Sequence, residues 1–351
     1  MKIAVLVSGG VDSAVALRLL KDQGHDITAF YLKIWLEDEL KFLGDCPWEE
    51  DLKFVQEICS QAEIPLEVLN MQKDYFEKVV SYTIDEVKNG RTPNPDVLCN
   101  NRIKFGMFFD KIDDSYEKVA TGHYSQIQEI DGKLFLKRAP DPIKDQTYFL
   151  AHLSQQQLKR IIFPIGHLQK TEVRELAKKY DLANKDRKDS QGICFLGKVK
   201  FKDFIKHYLN EKPGEMLEYE TGKHLSTHNG FWFYTIGQRK DICLPDGPWF
   251  VVKKDTIKNI VYVSKNYHSI DKVRDSFTAD TFNWFSGKFP EKTDHQVKIR
   301  HGEKDYNCKI TKLDDKTMEV KLDQSDQGIA SGQFAVFFDG KICLGSAVIK
   351  E

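Results

Sequence analysis

Residues 2–13, Lys-Ile-Ala-Val-Leu-Val-Ser-Gly-Gly-Val-Asp-Ser, leave this chain few folds to choose from. The apolar run Lys2–Val7 reads as a strand and Ser8-Gly9-Gly10 as a turn. Ala14, Val15, Leu17, Leu19 and Leu20 then supply the buried face of a helix that opens around Asp12 and Ser13. A strand, a glycine turn and a helix start in succession make an anion site. Glycines let the backbone approach a ligand closely, while unpaired N–H groups and the helix dipole point at it. The stretch is therefore a place for phosphate. No lysine follows the glycines at the spacing of a Walker loop, and Gly-x-Gly-x-x-Gly is absent, which weakens kinase-like and dinucleotide-binding readings.

The pattern repeats along the first half of the chain. Ile27–Ile34 and Leu66–Asn70 read as further strands. Leu52, Val55, Cys59 and Ala62 fall at helical spacing, with Cys59 a packing residue, and Tyr75–Lys88 reads as a helix closed by Gly90. Strands alternating with helices predict an α/β domain with a parallel sheet, its ligands at the carboxyl ends of the strands. Pro93 and Pro95 forbid a regular element and make a stiff loop that delivers Asp96 and Cys99 to a helix start. Ile103, Phe105, Phe108 and Phe109 suggest that helix. A strand Lys118–Tyr124, a hairpin turning at Asp131-Gly132, a helical region after Lys144–Leu150 and a helix Thr171–Tyr180 follow. Residues 184–197 form a second polar loop, which carries Cys194.

Beyond residue 200 the grammar changes. Short strand-like runs such as Trp249–Val252 and Ile260–Val263 predict a small β-rich module. From about 275 a period of two (Val297 and Ile299, Cys308 and Ile310, Met318, Val320 and Leu322) predicts a closed barrel or sandwich with Cys308 and Cys343 inside. Three domains result: 1–200, 201–268 and 269–351. A chain of 351 residues, 41% hydrophobic, is long enough for them. The net charge of -1, from 52 basic and 53 acidic residues, means that any polyanionic partner must be met by local patches. The seven cysteines form no Cys-x-x-Cys pair and no zinc-like cluster with histidine. Residues 1–7 are too short for a signal-peptide core and no run suits a membrane helix, so no membrane partner and a cytoplasmic location are expected.

Ser8-Gly9-Gly10-Val11-Asp12-Ser13 resembles the loop of the pyrophosphate-loop ATPases, which split ATP between its α and β phosphates and adenylate an acceptor oxygen. By itself that resemblance leaves GMP, asparagine and argininosuccinate synthetases and several tRNA-modifying enzymes open. Longer motifs narrow it. Arg91–Asn100, Lys104-Phe105-Gly106, Ala120–Tyr124, Lys144–Leu150, Lys188–Phe195 and Tyr234–Lys240, in that order, resemble the bacterial and organellar tRNA-specific 2-thiouridylases. The likeness runs from residue 3 to about 349. It departs at Asp241-Ile242, where the family has Gly-Leu, and at Ser331-Gly332-Gln333, where it has Pro-Gly-Gln.

The resemblance implies an adenine-nucleotide alpha-hydrolase-like catalytic domain followed by two β-rich tRNA-contacting domains. ATP would be held by Val7, Ser8, Gly9, Gly10, Val11, Asp12, Ser13, Leu32 and Gly122, with Asp12 on magnesium. Leu32 equally suits plain sheet packing. Cys194 would carry a persulfide sulfur, Cys99 would attack it and leave a transient Cys99–Cys194 disulfide, and Asp96 would act as general acid/base. tRNA contacts would come from Asn94, Pro95, Asp96, His123, Lys144, Asp145, Gln146, Arg300, His301 and Gln333, with His123 alternatively a buried strand histidine and Arg300-His301 a solvated pair. The implied partners are tRNAs for Lys, Glu and Gln and a persulfide sulfur-carrier protein, with a monomer expected. Cys46 receives no role. Two competitors use the same loop: an amidotransferase-type synthetase, for which no glutaminase signature is present, and a non-catalytic tRNA-binding protein, against which the intact Asp96, Cys99 and Cys194 speak.

Overall fold

The computed structural model describes residues 1–34, 48–189, 199–266 and 274–350. The strands of the first half are β1 (Lys2–Val7), β2 (Asp26–Lys33), β3 (Leu66–Asn70), β4 (Lys118–Ala120), the hairpin β5 (Ser125–Ile130) and β6 (Lys133–Arg138), and the two-residue β7 (Ile161–Ile162). A five-stranded sheet of order β3-β2-β1-β4-β7 is parallel throughout. Both of its faces are covered, which is why β1 reads apolar at almost every position. Ala4, Leu6, Phe30 and Val119 face one core with Val79, Val97, Leu98 and Cys99. Ile3, Val5, Val7, Ala29 and Ala120 face another, built with helix α1 (Val11–Asp22), the helix Trp48–Gln61 through Val55, Ile58 and Cys59, and the helix Lys170–Lys179 through Val173 and Ala177. Each fully buried valine, leucine, isoleucine or phenylalanine among them stabilises the fold by about 1.5–3 kcal/mol. The strand expected over 118–124 stops at Ala120, because Thr121–Tyr124 leave the sheet to cross the start of α1. Strand β7 escapes periodicity because two residues carry none.

The second module pairs β8 (Gly214–Glu218), β9 (His224–His228), β10 (Phe250–Asp255) and β11 (Ile260–Ser264) in the order β10-β11-β8-β9. The third is the expected barrel, of β12 (Ser276–Trp284), β13 (Asp294–Lys298), β14 (Tyr306–Lys312), β15 (Met318–Leu322), β16 (Phe334–Asp339) and β17 (Ile342–Ile349), closed by pairing of β12 with β17. Strand β16 is buried on both sides. Ala335 and Phe337 fill the barrel, while Phe334, Val336 and Phe338 pack into the core of the catalytic unit. The hairpin β5–β6, whose turn residues Asp131 and Gly132 have φ of 50° and 73°, joins this barrel sheet rather than the parallel one: Ile342 pairs with Lys137 and Cys343 with Leu136. Cys308 lies inside the barrel as expected. Cys343 does not, because its side of β17 faces Leu136 and the catalytic core.

The proline loop ends as its sequence dictates. Asn94 caps the helix Pro95–Leu98, accepting from the Val97 amide at 3.3 Å, with Pro95 in the first turn where its missing N–H costs nothing. From Cys99 to Met107 the helix widens to π geometry, and Phe105 leaves helical backbone at φ -121°. Gln157, from a capping box with Ser154, meets the carbonyls so released: its Nε2 donates to Asn101 O at 2.7 Å and to Phe105 O at 2.6 Å. Replacing it with leucine strands those carbonyls. We expect Gln157→Leu to lower the unfolding free energy by about 1–3 kcal/mol in chemical denaturation.

Candidate functional site

The turn at the carboxyl end of β1 is closed by its own serines. Ser13, buried, accepts from the Ser8 amide at 3.2 Å and donates to Gly10 O at 3.0 Å. Its hydroxyl therefore braces the loop, while Ser8 is exposed. The first bond of α1 runs from Ala14 N to Gly10 O, which leaves the amides of the opening turn ahead of the helical ladder, as an anion site requires. Gly9 and Gly122 make the cradle possible. A Cβ on Gly9 would stand 2.8 Å from Asp51 O, and one on Gly122 would stand 2.6 Å from Ser13 N and 2.7 Å from Asp12 C. The carbonyl of Gly9 is clamped by Asn184 Nδ2 at 2.8 Å and Arg187 Nη1 at 3.1 Å, and Arg187 also pairs with Asp51. Burial raises the Asp51 carboxyl above its ordinary range, against the pull of Arg187. Leu32, half-buried near the end of β2, packs against the core.

Asp12 sits at the head of an ion network. Its Oδ1 accepts from Tyr124 Oη at 2.7 Å and from Lys170 Nζ at 2.7 Å, and the same ammonium lies 2.8 Å from Asp189 Oδ1. Asp189 is further held by Lys144 at 2.6 Å and by Arg174 at 2.6 Å. Burial raises the Asp189 carboxyl, yet its hydrogen bonds to Lys144 and Lys170 outweigh that and hold it at about 2. Burial and Asp12 together push the Tyr124 phenol well up, so it stays a donor. Lys170 is only 14% exposed, so its ammonium stands largely out of water between two carboxylates, where a cation preferring oxygen fits. Among the described residues there is no cluster of three metal-ligating side chains.

One segment ties this cradle to the cysteine loop. Gln146 Oε1 accepts from Tyr124 N at 2.9 Å, Asp145 accepts from Ala139 N at 3.0 Å and Thr147 Oγ1 at 2.7 Å, and the short helix Thr147–Leu150 follows. At its far end Phe149 O accepts from Asn100 Nδ2 at 3.1 Å, beside Cys99. Asp145 is thus buried and engaged, and Lys144 reaches Asp189. His123 is buried between Phe105 and Phe163, its Nδ1 2.7 Å from Thr121 Oγ1. Burial, with Lys104, holds its pKa well below the ordinary value.

Asp96 and Cys99 share one helical turn; Cys99 is 1% exposed, in the core beside Leu98 and Ile103. The barrel reaches the same loop through Gln333, whose Nε2 donates to Thr92 O at 3.0 Å and Pro93 O at 3.3 Å, and whose Oε1 lies 3.5 Å from Asn94 Nδ2. Thr92 N donates to Ser331 O at 2.7 Å, so the departure at Ser331-Gly332 lies on a loop-to-barrel contact. His301 stacks on Phe149 at 4.5 Å, and Arg300 pairs with Asp326 at 2.6 Å. Asn94, Pro95, Asp96, Gln333 and His301 therefore gather around the cysteine loop, whereas Ser8–Ser13, Gly122 and Lys144 gather at the cradle. Cys194 and Cys46 lie outside the described residues, as does any Cys99–Cys194 pairing.

Sequence reasoning missed Lys170, Asn184 and the anchoring role of Arg187. Lys170 and Asp12 are 158 residues apart, and no local pattern announces such a pairing. Tyr124 and Asp189 stand inside motifs that the sequence singled out, and that was the available signal.

The chain matches three family models in series, described as a tRNA methyl transferase HUP domain over residues 1–198, a tRNA methyl transferase PRC-barrel domain over 202–265 and an aminomethyltransferase beta-barrel domain over 274–349. It is 45% identical over 355 residues to the tRNA-specific 2-thiouridylase MnmA of Parabacteroides distasonis, covering 99% of each chain. It is 42% identical over 361 residues to the protein of the same name from Porphyromonas gingivalis, covering 100% of this chain and 99% of that one. Among solved structures, the U34-tRNA thiolase NcsA of Methanococcus maripaludis is similar over 52% of this chain and 58% of its own at 16% identity, with a TM-score of 0.33, too distant to bear on the site. Identity sustained from end to end across a HUP sheet, a small β-module and a closing barrel places the chain in the tRNA-specific 2-thiouridylase family, and it is an enzyme of that family.

Proposed function

We propose that this protein thiolates uridine at C2 in the wobble position of tRNA, using ATP and a cysteine persulfide and releasing AMP and pyrophosphate. One observation carries it: residues 121–150 join a phosphate cradle to an acid–cysteine turn, with Gly122 and Tyr124 on Asp12 at one end and Phe149 on Asn100 at the other. Exchange of oxygen for sulfur needs the oxygen made a leaving group and a soft nucleophile brought beside it. Val7 and Ser8, the amides of Gly9–Ser13 and the close-set backbone at Gly122 would take the triphosphate, with Leu32 beside adenine, and Lys170 would turn to the phosphate oxygens. Asp12 would hold magnesium, which neutralises phosphate charge when bound.

In the proposed reaction the uracil O2 takes the adenylyl group and pyrophosphate leaves. The terminal sulfur of a persulfide on Cys194 then attacks C2, and AMP leaves with the oxygen. Cys99 thiolate attacks Cys194 Sγ, the sulfur–sulfur bond to the base breaks, and the pair of electrons departs with the 2-thiouridine sulfur. A Cys99–Cys194 disulfide remains, which an external dithiol must reduce. Asp96 serves as the proton-transfer group. Asn94, Pro95, His123, Lys144, Asp145, Gln146, Arg300, His301 and Gln333 would contact the tRNA directly or hold the surface that does, the target base being turned out of its stack. Expected substrates are the Lys, Glu and Gln isoacceptors, the sulfur donor a persulfide carrier protein, the site of action the cytoplasm, and the working unit a monomer. Among the described residues no helix is long and apolar enough to cross a membrane.

The deciding experiment incubates the protein with unmodified tRNA, ATP and a persulfide donor and analyses the nucleosides by mass. We expect 2-thiouridine; AMP release without it would overturn the proposal. Cys99→Ser should abolish free product and hold AMP to about one equivalent per enzyme, the base staying joined to Cys194, and Asp96→Asn should slow turnover by about 10²–10⁴-fold. By calorimetry, Gly122→Ala and Lys170→Ala should each weaken ATP binding by about tenfold or more, the first by pushing on the Asp12–Ser13 peptide and the second by removing a charged donor.

A further inference from the structure

Where the three units meet there is a cavity of about 960 Å³. Arg91 and Thr92 of the proline loop form one wall, Lys253 and Lys254 of β10 a second, and Arg274 and Lys350 of the barrel a third. Among the described residues no aspartate or glutamate lines it. Two of the cations are answered from outside: Arg91 by Glu86, through Nε at 2.7 Å, and Lys350 by Asp280 at 3.1 Å. Arg274 Nη1 donates to the Ile329 carbonyl at 3.1 Å, and Lys254 Nζ to the Tyr234 carbonyl at 3.0 Å. Lys254 is deeply set, and burial alone lowers its pKa to about 8, with no carboxylate among the described residues offsetting it. Burying an ammonium against a lone carbonyl is costly, and a ligand that brings negative charge removes the cost. Tyr219 also lines the cavity, 39% exposed and set edge-on to Tyr262 at 6.3 Å. A cationic wall with an aromatic ring beside it is what successive phosphates and a stacked base require of a protein.

We propose that this three-way cavity binds a nucleotide of single-stranded RNA, its phosphate on Lys254 and Arg274 and its base against Tyr219. The assignment to the substrate tRNA rests on the function proposed above. The pocket has a direct line to the chemistry. Arg91 and Thr92 run on to Asn94, Asp96 and Cys99, and Thr92 is tied to Ser331 of the barrel, so a nucleotide seated here grips the root of the cysteine loop.

The test uses the full chain and two fluorescent probes, an unmodified tRNA and a short mixed-sequence oligoribonucleotide, with anisotropy recorded over a series of potassium chloride concentrations. Lys254→Met and Arg274→Met should each weaken both probes about fivefold or more and flatten the log–log salt slope, by at most about 0.7–0.9, the one phosphate they share. Tyr219→Leu should weaken binding by a similar factor with the slope unchanged, as loss of a stacking ring does. Lys316→Met, on an exposed barrel turn, should change neither, and ATP affinity should be intact in all four variants, which separates pocket loss from misfolding. Acetylation footprinting should show Lys254 protected by the oligoribonucleotide. Equal protection by millimolar inorganic phosphate would overturn the RNA assignment, and so would superimposable binding curves for variants that still bind ATP. Failure of tRNA thiolation with the oligoribonucleotide results intact would count against the proposed reaction and leave the pocket standing.

Discussion

The ammonium of Lys170, set between the carboxylates of Asp12 and Asp189, is the interaction on which the catalytic half turns. It belongs to a helix on the far side of the chain from the phosphate loop, and it locks three separate pieces together: the first turn of α1, the start of helix Lys170–Lys179 and the polar loop 184–189. A pair of carboxylates so close would repel without it. Partial burial makes the arrangement steep in both directions, since removing the cation leaves two charges facing each other, whereas a cation of higher charge density finds oxygen ligands waiting. Arg174, bonding the carbonyls of Lys185 and Arg187 as well as Asp189, keeps the loop in that place.

The second organising constraint is close approach of backbone to backbone. Thr121–Tyr124 can leave the sheet and cross α1 only because residue 122 has no Cβ, and this crossing carries Tyr124 to Asp12. The strand ends early for the same reason that the site exists. A comparable economy operates at Gln157, one side chain that caps its own helix and meets two carbonyls loosened by the wide turn after Cys99. Asp96 and Cys99 already share the α-turn ahead of it, and Cys99, Ile103 and Phe108 all lie in the one core.

Much of this was legible in the residues themselves. The strand–glycine–helix grammar gave the parallel sheet, the prolines gave a stiff loop running into a helix start, and the period of two gave the barrel with Cys308 inside. The misreadings share a cause. Cys343 was assigned to the barrel interior because alternation shows which residues lie on the same side of a strand and is silent about whether the other side is also covered. In β16 and β17 it is. The network of Lys170, Asn184 and Arg187 stayed hidden for a related reason: each looked like surface charge or polarity, and only the folded path brings them to Gly9 and Asp12. Gln333 and Asn94, 239 residues apart, could be named from motifs but not joined.

The hairpin β5–β6 grows from the catalytic unit yet hydrogen-bonds to the last strand of the barrel, and Phe334, Val336 and Phe338 of the barrel complete the catalytic core. The three units are consequently poor modules. A chain cut ahead of the barrel would expose the free edge of β6 and an aromatic row, both invitations to aggregation. A barrel borrowed from a distant relative would have to match the catalytic core side chain for side chain. Inheritance is therefore expected to treat the whole chain as one cassette, with drift on either side of that shared sheet answered on the other.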